Sequence, residues 1–202
     1  MLDKTTTIEK FLDAAAAKQP TPGGGSAAAL AGALAAAMGE MVLNYSLGKK
    51  GLEIHAEALK AALAEFRRAR EIMVELMAED QSAYEALAAA RKGADLAKRQ
   101  QAVMICARVP QTIAGTAVAI LELADELVEK VNQRLLSDLA VCAELAMAST
   151  RAALYNVQVN LPDVADVQNR RKIEEECQRM LSHAASRIKR VIPRIWERAS
   201  EG

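Results

Sequence analysis

Apolar residues recur along this chain at intervals of three and four, with charged or polar positions between them. That period belongs to an α-helix with one buried face. It predicts a short first helix from Thr5 to Lys18, with Ile8, Phe11, Leu12 and Ala15 on one side. Pro20 and Pro22 end it. A second helix is predicted from Ser26, a residue suited to capping, to about Leu47, with Gly48 and Gly51 marking the next turn. The third runs from Leu52 to about Arg91 without a Gly or Pro. A fourth follows Gly93 to about Arg108, Pro110 kinks or breaks the pattern, and Gln111 to Lys130 resumes it. Val131 to Leu136 reads as a linker. Ser137 then caps a helix to about Asn160, and Asp163 to about Arg198 forms a last one, kinked at Pro193. No alternating strand pattern or Asn-Gly hairpin occurs. The fold class is all-α: a single-domain helical bundle with long helices, spanning residues 1–202.

Two rows with a spacing of seven stand out, and seven residues return a helix to within about 20° of the same direction. Gly25, Gly32, Gly39 and Ser46 form a row almost without side chains, which lets another helix approach the backbone closely. That neighbour is either a helix of the same bundle or, as the favoured reading, the same helix of a second copy across a two-fold axis. The other row is Leu59, Phe66, Met73, Asp80 and Leu87. Four of the five are apolar, so the row faces the core and takes Asp80 with it. A carboxylate there must be paired, hydrogen-bonded or functional. Desolvation would raise its pKa and make it a candidate general acid or base.

Composition narrows the class. Hydrophobic residues make up 51% but aromatics only 3%, and much of the apolar count is alanine, the best helix former and a poor strand former. The 26 basic and 26 acidic residues cancel, leaving no global field for nucleic acid or an anionic membrane. Ala27 to Leu43 is long enough to span a bilayer, but it is mostly alanine and Glu40 interrupts it. Cys106, Cys142 and Cys177 include no CxxC pair and read as reduced thiols of a cytoplasmic protein. The N-terminal stretch lacks the pattern of a signal peptide.

The chemistry-bearing positions are few. Gly23-x-Gly25-x-x-Ala28 formally fits a dinucleotide fingerprint, but a helix and Pro-Thr-Pro precede it where a strand is required. Gly23, Gly24 and Gly25 can still offer backbone N–H groups to an anion, or simply form a turn. Asn156 and Asn160 share a face, and Cys142, Ser149 and Asn156 form another row of seven. These groups either line a polar pocket or bond between helices. Lys49 and Lys50 suit the end of their helix or an anionic substrate group. His55 and His183 lie in no metal-binding motif, and no metal is expected.

PTPGGGSAAALAGALAAAMGEMVLNYSLGKK, residues 20–50, resembles the opening of the cyclodeaminase/cyclohydrolase family of folate enzymes. AEDQSAYEAL, LLSDLAV and LYNVQVNL are similar to later family segments, so the resemblance covers nearly the whole chain. The chain departs from the pattern at Val131-Asn132-Gln133-Arg134, where Gly-Asn-x-Asn is usual, and between Ala88 and Arg99, which looks shorter. The resemblance implies an all-α homodimer acting on a tetrahydrofolate derivative with no cofactor. The favoured reaction is hydrolysis of 5,10-methenyltetrahydrofolate. Cyclisation of formiminotetrahydrofolate with loss of ammonia and folate binding without turnover stand as alternatives. It casts Asp80 and Asp138 as catalytic carboxylates. Gly23, Gly24, Gly25, Asn44, Lys49, Lys50, Asn156 and Asn160 are cast as substrate-binding.

Overall fold

A computed structural model describes residues 5–200. Six helices follow in order: α1 (Ile8–Ala16), α2 (Gly24–Asn44), α3 (Ala56–Ala90), α4 (Leu96–Leu127), α5 (Leu136–Asn160) and α6 (Val167–Ser200). There are no strands among the described residues. α2 lies between α3 and α5, α4 packs across all three, and α6 closes the far side against α4 and α5. Thr7 caps α1 through a hydrogen bond from the Lys10 N–H, and Asp95 caps α4 in the same way through Lys98.

The two rows of seven interlock. A Cβ built on Gly25 would meet Asp80, one on Gly32 would meet Met73, and one on Gly39 would meet Phe66. Each bulky residue of α3 therefore sits over a missing side chain of α2, and Leu59, Phe66 and Met73 are fully buried. Each such burial contributes about 1.5–3 kcal/mol. The glycine row is thus an internal seam with α3, and is not the contact between copies that the sequence favoured. α5 takes the adjoining side of α2. Ser149 Oγ donates to the Ala28 carbonyl at 2.7 Å, and Asn156 lies against Gly24. The two helices are antiparallel, with Gly24 level with Asn156 and Asn44 level with the start of α5.

Several predicted boundaries move. α2 begins at Gly24 with Gly23 as its cap, rather than at Ser26. It ends at Asn44, and Gly48 and Gly51 adopt positive φ in the turn that follows. Ser137 does not cap α5, whose N-cap is Leu135. The last helix starts at Val167, after Asp166 accepts from the N–H groups of Gln168 and Asn169. Pro110 does not break α4, which runs through it. A proline removes one N–H from the ladder and frees the carbonyl four residues earlier. Here that carbonyl belongs to Cys106, and Asn160 Nδ2 donates to it from α5 at 3.1 Å. α6 likewise continues past Pro193.

α6 is held to α4 by charge. Asp125 is 2% exposed, and Arg187, Arg190 and Arg194 all reach its carboxylate. α2 and α4 are long and apolar enough to cross a membrane, but most or half of that apolar window, 61% and 50%, is buried within the bundle.

Candidate active site

At the N-terminal end of α2 a cleft of about 250 Å³ opens between the Pro20–Gly25 turn, α3, α4 and α5. Asp80 enters from α3, Asn156 and Asn160 from α5, and Cys106 from α4. Tyr84, one turn beyond Asp80, and Val159 stand at the rim. A larger groove of about 850 Å³ runs along α6 near Met180 and His183, but its charged side chains lie at the surface.

Asp80 is half-buried, and its two oxygens differ. Oδ2 accepts the Ser26 backbone N–H at 2.8 Å and lies 2.9 Å from the Ser26 hydroxyl. That hydroxyl is also 3.1 Å from the Met77 carbonyl, so its single proton serves one acceptor at a time. Oδ1 has no hydrogen bond among the described residues and faces Gly25. A Cβ there would lie 2.0 Å from it, so only glycine leaves the acid its place. Burial pushes the Asp80 carboxyl above its ordinary range, and the Ser26 hydrogen bonds pull it partway back. The fixed oxygen orients the group, and the other lies against Gly25 in the wall of the cleft.

The amides complete the wall. Asn156 Nδ2 donates to the Ala152 carbonyl at 2.8 Å, and Asn160 Nδ2 donates to the Asn156 carbonyl at 2.8 Å. Asn160 also donates to the Cys106 carbonyl, so both its N–H groups are engaged and its side-chain oxygen is left as an acceptor, whereas Asn156 keeps one N–H and its oxygen for a ligand. Cys106 Sγ lies 3.2 Å from the Ala83 carbonyl. Burial raises its thiol pKa, and the nearby Asp80 charge raises it further. Of the row Cys142, Ser149 and Asn156, only Asn156 reaches the cleft.

The structure brings together Gly23, Gly24, Gly25, Asp80, Asn156 and Asn160. It places the other predicted residues at the opposite end of the bundle. Asn44 is 20 residues along α2 from Gly24, about 30 Å away, and Asp138 is about 27 Å along α5 from Asn156. Lys49 is bound there to Asn132 Oδ1, whose backbone N–H donates to Ser46. Lys50 is exposed beside it. Ser26, Tyr84 and Cys106 were not singled out from the sequence as site residues. The signals were faint: Ser26 follows Gly25, Tyr84 shares the Asp80 face at a spacing of four, and Cys106 lies four residues before Pro110.

Fold and cleft together define an all-α bundle with a cleft built around one partly desolvated acid. The chain belongs to the formiminotransferase-cyclodeaminase family, whose model matches residues 7–179. It is 34% identical over 195 residues to a methenyltetrahydrofolate cyclohydrolase of Methylorubrum extorquens, covering 92% of this chain and 93% of that protein. It is 28% identical to the formimidoyltransferase-cyclodeaminase of Gallus gallus, over 89% of this chain but only 35% of that longer protein. The crystal structure of a formiminotetrahydrofolate cyclodeaminase from Thermotoga maritima superposes with a TM-score of 0.92 at 27% identity, covering 96% of this chain and 97% of that one.

Proposed function

We propose that this protein is a folate one-carbon enzyme that hydrolyses 5,10-methenyltetrahydrofolate to 10-formyltetrahydrofolate. The observation that carries the reading is Asp80, fixed through Oδ2 and free at Oδ1 within the glycine–amide cleft. The substrate carries a cationic amidinium carbon between two nitrogens. A carboxylate beside it stabilises that charge and can take a proton. Water adds its oxygen to the carbon and gives a proton to Oδ1. That proton passes to N5, the carbon–N5 bond breaks, and the hydroxyl left on the carbon releases its own proton to solvent as the C=O forms, so the formyl group stays on N10 and one proton is released overall. Asn156 and Asn160 are assigned to hydrogen-bonding the pterin or the attacking water, and Gly23 to Gly25 to close backbone approach. The match along both full lengths to a protein named as a cyclohydrolase supports the choice.

A second reading has its own support in the fold shared with a protein named as a cyclodeaminase. There N10 of 5-formiminotetrahydrofolate attacks the formimino carbon, ammonia leaves, and the methenyl bridge forms. One assay separates the two. Methenyltetrahydrofolate absorbs in the near ultraviolet, so loss of its band reports hydrolysis, and its growth from formiminotetrahydrofolate reports deamination. Saturable folate binding with neither change would overturn both in favour of a binding protein. In this reading the enzyme is a cytoplasmic homodimer without a resident cofactor, a location that three free buried thiols support.

A further inference from the structure

Four serine and threonine side chains are fully buried among the described residues: Ser26, Ser46, Ser149 and Thr150. Three of them donate to a single main-chain carbonyl. Ser46 reaches Val42 at 2.7 Å, Ser149 reaches Ala28 at 2.7 Å and Thr150 reaches Ala146 at 2.9 Å. Of the four, Ser26 alone has two acceptors in reach, and one of them titrates. Its Oγ lies 2.9 Å from Asp80 Oδ2 and 3.1 Å from the Met77 carbonyl. A buried hydroxyl without an acceptor is costly, so its proton rests on one or the other.

We propose that the Ser26 hydroxyl is a two-position donor that follows the charge of Asp80: it rests on Oδ2 while the acid is ionised and turns to the Met77 carbonyl when the acid takes a proton. Ser26 is thereby a positioning residue for the proton transfer. The use made of that proton rests on the folate reading; the switch itself does not.

The other contact of Ser26 is fixed, and it decides where the proton lands. Ser26 stands in the first turn of α2, where N–H groups have no acceptor within the helix. Gly23 offers no side-chain cap, and the Ser26 N–H goes to Oδ2 at 2.8 Å. This donor cannot turn away. Oδ2 therefore stays an acceptor in both states, and the proton of the acid sits on Oδ1. Hydrogen bonds to an ionised oxygen are roughly twice as strong as neutral ones, so the hydroxyl favours Oδ2 only while the charge is there. Once Asp80 is neutral, a peptide carbonyl is the better acceptor. Gln81 Nε2 approaches the Met77 carbonyl only at 3.4 Å, which leaves it room for the hydroxyl.

This suits a group that takes and returns a proton in each turnover. A donor locked on Oδ2 would favour the ion and oppose proton uptake. A hydroxyl with a second acceptor recovers a bond when the acid protonates, so Asp80 waits ionised without becoming a poor base. In the hydrolytic reading the hydroxyl turns to Met77 as water gives its proton to Oδ1, and returns to Oδ2 as that proton passes to N5. Asp80 is the only charged side chain lining the cleft among the described residues. α4 presents Cys106, α5 presents Asn156 and Asn160, the α2 end presents only glycines, and Tyr84 follows on α3. Arg91 is held by Asp163, and neither lines the cleft. Burial raises the Asp80 carboxyl, and the two Ser26 bonds are what lower it.

The test is a pH titration of the full chain by carbon NMR, with Asp80→Asn identifying the carboxyl signal. In wild type the Met77 carbonyl signal is expected to move with the same midpoint as the Asp80 carboxyl. In Ser26→Ala the Asp80 midpoint is expected to rise by about one pH unit, the difference between a charge-assisted and a neutral hydrogen bond. The Met77 displacement should shrink to a minor part of its wild-type size. The acid limb of kcat/KM for methenyltetrahydrofolate should rise with the midpoint. A purely structural Ser26 would lower Tm in the variant and leave the Asp80 midpoint in place. The proposal is overturned by a midpoint unchanged or lowered in Ser26→Ala, or by an acid limb that stays while the midpoint rises. It is equally overturned by a Met77 signal that does not move in wild type or moves as far in the variant. The wild-type Met77 titration needs no variant, and neither NMR measurement needs substrate. The expected titrations in a protein that turns over no folate would support the switch and count against the folate reading alone.

Discussion

The carboxylate of Asp80 occupies the space that a side chain at Gly25 would need, with Oδ1 2.0 Å from the site of a Cβ. Packing and chemistry meet at this contact. The acid is the last large group in a row that α2 accommodates by omission, and the same omission seats its free oxygen in the wall of the cleft.

Gly25→Ala should therefore displace the acid or part the helices. We expect a loss of about 1–3 kcal/mol from overpacking and a fall in kcat greater than that of Gly24→Ala. At Gly24 a Cβ would meet only the Asn156 amide, at 3.0 Å. Gly39→Ala, which strikes the Phe66 ring, is the control: it should lower Tm while leaving KM and kcat of the folded protein unchanged. Thermal unfolding and steady-state kinetics on the three variants check this.

Asp80→Asn should lower kcat/KM by about 10²–10⁴ without destabilising the fold. Burial raises this carboxyl above its ordinary range, so the folded protein holds the proton more tightly than the unfolded chain does. That stability is complete below the ordinary value of 3.8, and is lost as pH rises through the raised folded value. At neutral pH the ionised acid opposes folding, and the amide removes the penalty. Denaturant midpoints at pH 7 equal to or above wild type are expected; a large drop would assign Asp80 a structural role instead.

In the hydrolytic reading the ionised acid takes a proton from water. Activity should fall on the acid side with an apparent pKa above 3.8, the ordinary value, and Asp80→Asn should abolish that limb. A pH profile of kcat/KM on both proteins decides it.

Thiol chemistry reports the same electrostatics. Burial pushes the Cys142 thiol up to about 12 and Cys177 to about 11, so neither should react with iodoacetamide in the native protein. Cys106 is raised by burial and then by the Asp80 charge. Its labelling should therefore be slow in wild type and faster in Asp80→Asn, as peptide mass mapping over time would show.

The Asp125 clamp should be asymmetric. Arg187 and Arg194 are 27% and 34% exposed, against 3% for the carboxylate side chain. Stripped of Asp125 they can rehydrate, whereas Asp125 stripped of them cannot. With Arg190, the third partner, removed as well, Arg187→Ala/Arg190→Ala/Arg194→Ala should cost on the order of 3–5 kcal/mol, and Asp125→Leu distinctly less, by denaturant unfolding.

Much of this was legible in the sequence. Helical period gave the class and the long helices, with α4 read as two segments meeting at Pro110, because each buries one stripe. The rows of Gly25 and of Asp80 were each visible, but not that they face one another, since pairing between helices is a tertiary choice. Pro110 was read as a kink or a break because local chemistry alone says so. The amide that rescues it lies 50 residues away in sequence. Asn44, Lys49 and Lys50 share a motif with the cleft glycines, and Asp138 shares a helix with Asn156 and Asn160, yet motif reading carries no distance. A helix about 30 Å long separates the groups.

Pro110 leaves a carbonyl without its usual donor, and Asn160 fills the gap while lining the cleft. Replacing that proline by alanine, ordinarily a favourable change within a helix, would let the backbone reclaim the carbonyl and release the amide. A flaw in one helix is thus what tethers a wall of the cleft on another. Repairing the local defect would loosen the very place where a ligand is to be gripped.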